Sequence, residues 1–352
     1  MNVSPRMRDG AMLLSGLVVA LLLLEASGLA FWQSFAITLA IFIVLTVSLN
    51  LANGFTGVFT LGQIGFMALG AYVSAILTLP QRAKEAFLPD LPELLAGISL
   101  DQTIGWLPIG WLAATLIAAL LVSGIAAVVG AVLMRLSGPF VAVATLGFLV
   151  IVRVVLLNSD TITRGSRTFS NVTRYTDLWL AFGAAVVTVY VVWRIKRSSY
   201  GRAMFAQRED RWAANSVGVS ILRPRLQAFI ISAFFTAVAG SLYAHHLGSF
   251  SPNAFYFDIT FEVITMLVVG GMGSVSGSVI GAALILGLAE ALRRLEDPTQ
   301  LYGISGVIIA AVLIAVIVFR PTGIMGQREI SFERLFAVFR RAPPEPPPRA
   351  PA

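Results

Sequence analysis

RIKRSSYGRAMFAQREDRWAANSVGVSILRPR, residues 194–225, is the longest polar stretch between two apolar spans in a chain that is otherwise almost continuously apolar. It carries eight cations (Arg194, Lys196, Arg197, Arg202, Arg208, Arg211, Arg223, Arg225) against two anions, Glu209 and Asp210. Eight minus two leaves +6, nearly the whole +7 of the chain. Between membrane spans, a loop this rich in Arg and Lys belongs on the cytoplasmic side. That assignment orients the spans on either side of it.

Working outward, the 352 residues are 57% apolar and 12% charged, with a mean hydropathy of +0.84. Soluble domains carry roughly 25% charged residues. The expected fold is therefore an all-α, polytopic transmembrane bundle built from repeated apolar stretches near 20 residues long. A pI near 10.2 would suit a nucleic-acid binder. The cations instead sit in loops and tails beside apolar spans, which is the positive-inside pattern, so nucleic acid is excluded as a partner. There is no cysteine, which removes disulfides, thiol catalysis and cysteine metal sites. Lysine occurs only at Lys84 and Lys196, neither in a GxxxxGK[ST] context, so the chain has no ATP site of that type.

About ten membrane segments (8–10) are expected. Residues 1–10 form a short basic start, and Ala11–Ala30 reads as an uncleaved first span rather than a signal peptide, because the apolar run continues too far. Phe31–Leu51, a third span ending near Leu79, Trp111–Met134, Phe140–Asn158 and Leu178–Trp193 lead to the basic segment. Leu226–Leu247, Asp258–Val269, Ser278–Leu292 and Leu301–Phe319 follow it. The apolar, membrane-spanning region is thus 11–320. The tail, 321–352, ends RRAPPEPPPRAPA and lacks the apolar content to pack, so it reads as a largely disordered cytoplasmic appendage. An even number of spans puts both termini in the cytoplasm.

Two glycine-punctuated regions interrupt the spans. One holds Gly54, Gly57, Gly62 and Gly65; the other, GGMGSVSG at 270–277, holds Gly270, Gly271, Gly273 and Gly277. Broken backbone at membrane depth survives only where protein or water covers it. Spacing of four places Gly273, Gly277 and Gly281 on one helix face, where another backbone can approach closely. These regions read either as the lining of a pathway between internal repeats or as ordinary close packing.

Within the basic segment, Phe205, Trp212, Ser216 and Val219 share one side if the segment is helical, with Arg208, Glu209 and Arg211 off that side. Gly218 and then Pro224 end the helix. A short amphipathic helix across the ends of the spans could rest on lipid, pack on its own spans, or dock in a partner's groove. Its stripe of alanines suits a protein groove.

At this point a resemblance enters. Trp212-Ala213-Ala214-Asn215-Ser216-Val217-Gly218, with Pro224 beyond, resembles the "EAA" loop of ABC-importer permeases: Ala213, Ala214 and Gly218 match, and Trp212 replaces the usual acid. SLNLANGFTGVFTLGQIGFMALGAYVSA (48–75), SYGRAMFAQREDRWAANSVGVS (199–220), AFIISAFFTAVAGSLYAH (228–245), Ser251-Pro252 and VVGGMGSVSGSVIGAAL (268–284) resemble, in order, the branched-chain amino acid ABC-transporter permeases. The resemblance implies a translocating subunit in the inner membrane that is not itself an enzyme. It also implies a second permease, two cytoplasmic ATPases that carry ATP and Mg, and a periplasmic binding protein. Phe205, Arg208, Asp210, Trp212, Ala213, Ala214, Gly218 and Pro224 would then form the ATPase-coupling loop. One departure is Thr163-Arg164-Gly165-Ser166-Arg167-Thr168, where only Thr163, Gly165 and Ser166 fit the M-type pattern. Urea, amide and other small-solute permeases share the scaffold.

Ionisable groups in or near spans are Arg153, Glu262 and Glu290. Each must face protein or water. Glu262 joins the candidate pathway set, although a buried pair explains such residues equally well, and Glu290 reads as interfacial. Adjacent His245 and His246 point about 100° apart on a helix and cannot share a metal; they read as interface residues. No metal site and no catalytic constellation is expected. An ion-coupled secondary transporter, with a site at the broken helices, is the alternative from another class.

Overall fold

The computed structural model describes residues 5–89, 91–92, 97–103, 108–299, 303–320 and 322–329. Most of the tail expected to be disordered, 330–352, lies outside them. The helices are α1 (Pro5–Ala26), α2 (Ala30–Leu49), α3 (Gln63–Thr78), α4 (Gln81–Phe87), α5 (Ile109–Leu133), α6 (Pro139–Asn158) and α7 (Leu178–Arg197). They continue with α8 (Ser199–Glu209), α9 (Arg211–Ser216), α10 (Leu222–Leu247), α11 (Phe257–Gly270), α12 (Val275–Thr299) and α13 (Ile304–Phe319). Among the described residues there is no strand, only an isolated antiparallel bridge between Phe169 and Phe250.

Length explains which helices can cross a bilayer. The 25 residues of α5 reach about 37 Å at ~1.5 Å per residue, more than the ~30 Å hydrocarbon core. Seven helices meet this standard of length and hydropathy, and α3 with α4 makes an eighth if that bent pair is one span. The expected count of about ten is not confirmed. The described apolar part of α1, Ser15–Ala26, and α13, Ile304–Phe319, are shorter. The α3–α4 pair is bent by 114° because Leu79 is extended (φ −63°, ψ 127°) ahead of Pro80, whose ring disfavours helix in the residue before it.

The outward faces are apolar. Val128 of α5, Val143 of α6 and Val307 of α13 are each about 70% exposed, and α13 has no buried residue at all. Water would not tolerate such a surface, whereas hydrocarbon or a neighbouring subunit would. Inside, α10 packs on α3, α5 and α2. The crossing of α3 and α10 is close because glycine faces backbone: a Cβ on Gly70 would stand 2.5 Å from Ala237 Cα, and one on Gly240 would collide with Met67 O. Small hydroxyls then bond across helices, Thr115 with Ser241 at 2.7 Å and Ser232 to Ser48 O at 2.6 Å. Close backbone approach with interhelical hydroxyl bonds is how helices associate where water provides no drive.

His245 is part of this core and not an interface residue. It is fully buried, with Nδ1 2.8 Å from Ser241 O and Nε2 2.8 Å from Thr78 Oγ1. His246 lies 3.2 Å from Ser34 Oγ. Arg153 is held by Asn253 Oδ1 at 2.8 Å and lies over the Tyr256 ring, and Glu290 pairs with Arg294 at 3.5 Å on an exposed face.

Candidate functional site

The basic segment folds as two helices rather than one. Asp210 is extended (φ −147°, ψ 108°), and its Oδ1 accepts from the backbone N–H of Trp212 at 2.8 Å and Ala213 at 3.1 Å. An aspartate that satisfies the first free N–H groups starts a new helix, so α8 stops at Glu209 and α9 begins at Arg211. The single amphipathic stripe expected from spacing does not survive this break. Phe205 turns inward, its ring 5.1 Å from that of Phe55. Trp212 is 71% exposed and Val217 77% exposed; Ala213, Ser216 and Gly218 are exposed as well, and only Ala214 is buried on α9. Gly218 leaves the helix at φ +85°, the left-handed position that ends many helices and that glycine adopts without strain. Pro224 stands in the first turn of α10, where its missing N–H costs no hydrogen bond.

Arg208, read from spacing as lying off the buried side, is the residue that reaches furthest in. Its Nη1 donates to Gly54 O at 2.5 Å and Met272 O at 3.4 Å. It can do so because glycines leave room: a Cβ on Gly57 would meet Arg208 Cγ at 2.9 Å, and one on Gly273 would meet Nη1 at 2.7 Å. The two glycine regions, far apart in sequence, are therefore neighbours. The first is a π-helical turn, Asn50–Gly54, that prolongs α2; the second is the break between α11 and α12. Asn50 fastens them. Its Nδ2 donates to Ser274 O and Ser278 Oγ at 2.8 Å each, and its Oδ1 accepts from Gly273 N at 2.8 Å.

The expected three-glycine helix face is also corrected. Gly273 precedes α12 and takes φ +99° in the break. Gly277 and Gly281 lie on α12, where added Cβ atoms would crowd Gly270 O at 2.6 Å and collide with Met266 O respectively. Gly62 and Gly65 belong to a different contact, against Thr145 and Phe148 of α6. Glu262 stands half-buried on α11, two turns before Gly270.

Residues past α13 complete the cluster. Instead of leaving the bundle at Arg320, the chain folds back over 322–329. Ile324 N and Met325 N donate to Val269 O and Gly270 O, at 2.9 and 3.1 Å. Those are end carbonyls of α11, which have no partner within the helix. Glu329 does the converse for α12. Its carboxylate accepts from the backbone N–H of Val275 at 2.8 Å and Ser276 at 2.9 Å, and from Ser276 Oγ at 2.6 Å. It also pairs with Lys196 Nζ at 2.5 Å, and Lys196 in turn donates to Gly273 O at 2.6 Å. Burial alone would raise the pKa of Glu329; the bonds from Lys196, Ser276 and Val275 outweigh it and hold the group below the ordinary carboxylate range. A carboxylate at a helix N-terminus is also favoured by the helix dipole.

The sequence reading had Phe205, Arg208, Gly54, Gly57, Gly270, Gly271, Gly273 and Gly277 as two separate sets, and they form one cluster. Spacing alone does not place Asn50 or Glu329 in it, and it gives Lys196 only as one loop cation among eight. The signal for Asn50 was present: an asparagine inside the apolar run SLNLANG needs interhelical partners. Nothing local marks Glu329.

Residues 31–317 match the family model described as branched-chain amino acid transport system / permease component. The high-affinity branched-chain amino acid transport system permease protein LivM of Salmonella typhimurium is 30% identical over 319 residues, covering 81% of this chain and 68% of that protein. The high-affinity branched-chain amino acid transport system permease protein LivH of Escherichia coli is 32% identical over 195 residues, 50% of this chain and 62% of that protein. A fructose import permease protein, FrcC of Rhizobium meliloti, is 31% identical over 132 residues, 35% of this chain and 36% of the relative. No solved structure matches the chain significantly.

Proposed function

The chain belongs to the branched-chain amino acid transport system permease family, and on that footing we propose that it carries branched-chain or related amino acids across a bacterial inner membrane, both termini in the cytoplasm, driven by ATP hydrolysed on partner subunits. A second permease completes the path, two ATPases hold ATP and Mg, and a periplasmic protein delivers the solute. The ATPase meets the exposed end of the basic segment, at Trp212, Ala213 and Val217. Movement of α8–α9 then pulls on the glycine breaks through Arg208. The observation that carries this reading is the Arg208 guanidinium bonded to both Gly54 O and Met272 O: one planar, always charged group ties the docking segment to the breaks in two span regions. Helices yield where their own hydrogen bonds are interrupted, so force applied there opens or closes the bundle end.

The test is Arg208→Ala in the complete importer reconstituted in vesicles with its ATPases and binding protein. ATP-driven leucine uptake should fall at least tenfold while ATP hydrolysis persists, because hydrolysis is uncoupled from the breaks. Unchanged uptake would remove Arg208 from the coupling route. Uptake by this chain alone under a sodium or proton gradient would favour the ion-coupled alternative, and preference for urea or an amide over leucine would shift the substrate class on the same scaffold.

A further inference from the structure

A two-part cleft opens on the outer side of the coupling cluster, sharing Arg208 with it. The first part is a polar cavity of about 320 Å³ lined by Gly57, Gln207, Glu209, Asp210, Arg211 and Arg225, among others. The second, about 330 Å³, is lined by Val58, Phe59, Pro139, Val141 and Ala142 and shares Gly57 and Arg225 with the first. With Arg208 also in its lining, the polar part holds three arginines against two carboxylates and runs into the apolar one.

The polar half is unsatisfied. Gln207 is 3% exposed; its Nε2 donates to Ser220 O at 2.7 Å, but Oε1 has no partner, and neither does buried Arg225 Nε. Burying such groups unpaired costs about 1–3 kcal/mol each. Arg211 and Arg225 repel one another. Among the described residues the ion pairs are Lys196–Glu329 and Glu290–Arg294, so no carboxylate neutralises either arginine. Asp210 is committed to capping α9. Glu209 and Asp210, both exposed at the rim, are the two groups that oppose an anion. The position adds a constraint. Arg225 lies in the first turn of α10 and Pro139 begins α6, so the cleft opens where two spans end, at the depth of lipid headgroups. Basic pockets between helices at that depth bind anionic headgroups.

We propose that this cleft holds an anionic phospholipid with a hydroxylated headgroup: its phosphate against Arg211 and Arg225, a headgroup hydroxyl donated to Gln207 Oε1, and the start of an acyl chain along Phe59, Pro139 and Ala142. This stands on the bundle being membrane-spanning and not on the amino-acid reading.

The probe is phosphatidylglycerol. The full importer is exchanged into nanodiscs of equal parts phosphatidylglycerol and phosphatidylcholine, and the lipid it retains on release is counted by native mass spectrometry. Phosphatidylglycerol should be retained selectively. Arg225→Gln and Arg211→Gln should each reduce its retention about fivefold, the loss of one cation at a charged interface; Arg202→Gln, an exposed cation outside the cleft, should not. In nanodiscs of equal parts phosphatidylglycerol and phosphatidic acid the wild type should retain phosphatidylglycerol, and Gln207→Met should abolish that preference. Equal retention of both lipids, or retention indifferent to Arg211 and Arg225, overturns the proposal. So does displacement by inorganic phosphate at equal concentration, which would mean the apolar half contributes nothing. If phosphatidylglycerol is retained only after the ATPases are stripped off, the occupant is an acidic side chain of the partner. None of these outcomes depends on transport.

Discussion

Replacing Glu329 by glutamine isolates what one carboxylate does to the break between α11 and α12. The wild-type group accepts from Lys196 Nζ, from the N–H groups of Val275 and Ser276, and from Ser276 Oγ. Charge-assisted hydrogen bonds contribute about 1.5–3 kcal/mol each, neutral ones about 0.5–1.5. Glutamine keeps the shape and one acceptor oxygen, so several bonds weaken by about 1 kcal/mol, and Lys196, with a side chain 16% exposed, loses its counter-ion but keeps Gly273 O. A net loss of about 2 kcal/mol, confined to the start of α12, follows from these terms. At ~1.4 kcal/mol per factor of ten, amide exchange of Val275 and Ser276 should quicken about 30-fold in hydrogen-exchange mass spectrometry. Peptides from the α3–α10 crossing should not change. The pH dependence has a definite sign. Because the folded pKa is depressed, the stabilisation is fully present above the unfolded value of about 4.3 and is lost as pH falls through the lower folded value. Wild-type protein should therefore loosen at residues 275–276 on acidification, and E329Q should show no such response. Equal exchange in the two proteins at neutral pH would refute the capping role.

Asn50→Leu leaves buried Gly273 N without its partner, while Ser274 O keeps Ser278 N and Oγ; at about 1–3 kcal/mol for the orphaned group, the detergent-solubilised protein should melt a few degrees lower. Gly281→Ala drives a Cβ into Met266 O, whereas Gly287 has nothing within 4 Å. The first should destabilise by about 1–3 kcal/mol and the second should be neutral or slightly stabilising, with thermal melting as the comparison. Asp210→Ala removes the α9 cap at about 1 kcal/mol. It should leave the melting temperature of the bundle unchanged while reducing ATPase capture in a pull-down, since only the exposed end of the basic segment loosens.

Position along the chain carried some of this and distance in space carried the rest. The class of fold follows from composition, because about 20 apolar residues in a row have few stable places other than a bilayer, and 57% apolar content with 12% charge repeats that condition down the chain. The basic segment was legible as a polar, helical handle between spans for a similar reason: cations and glycine terminators are local signals. What spacing could not give was the direction in which Arg208 points. That depended on Asp210 diverting two backbone N–H groups and splitting the helix, so that Phe205 and Trp212 no longer share a face. Nor could it give Glu329, 133 residues from Lys196. A carboxylate in a polar tail reads as solvated until folding brings it to a helix end with free N–H groups, and that pairing is a property of the packed molecule. The sequence alone determined that the chain spans a membrane and where its charged handle lies. Only the tertiary structure decided that the handle, the two glycine breaks and the returning C-terminal segment are one hydrogen-bonded unit, because buried backbone groups at a helix break take their partners from whatever is near in space.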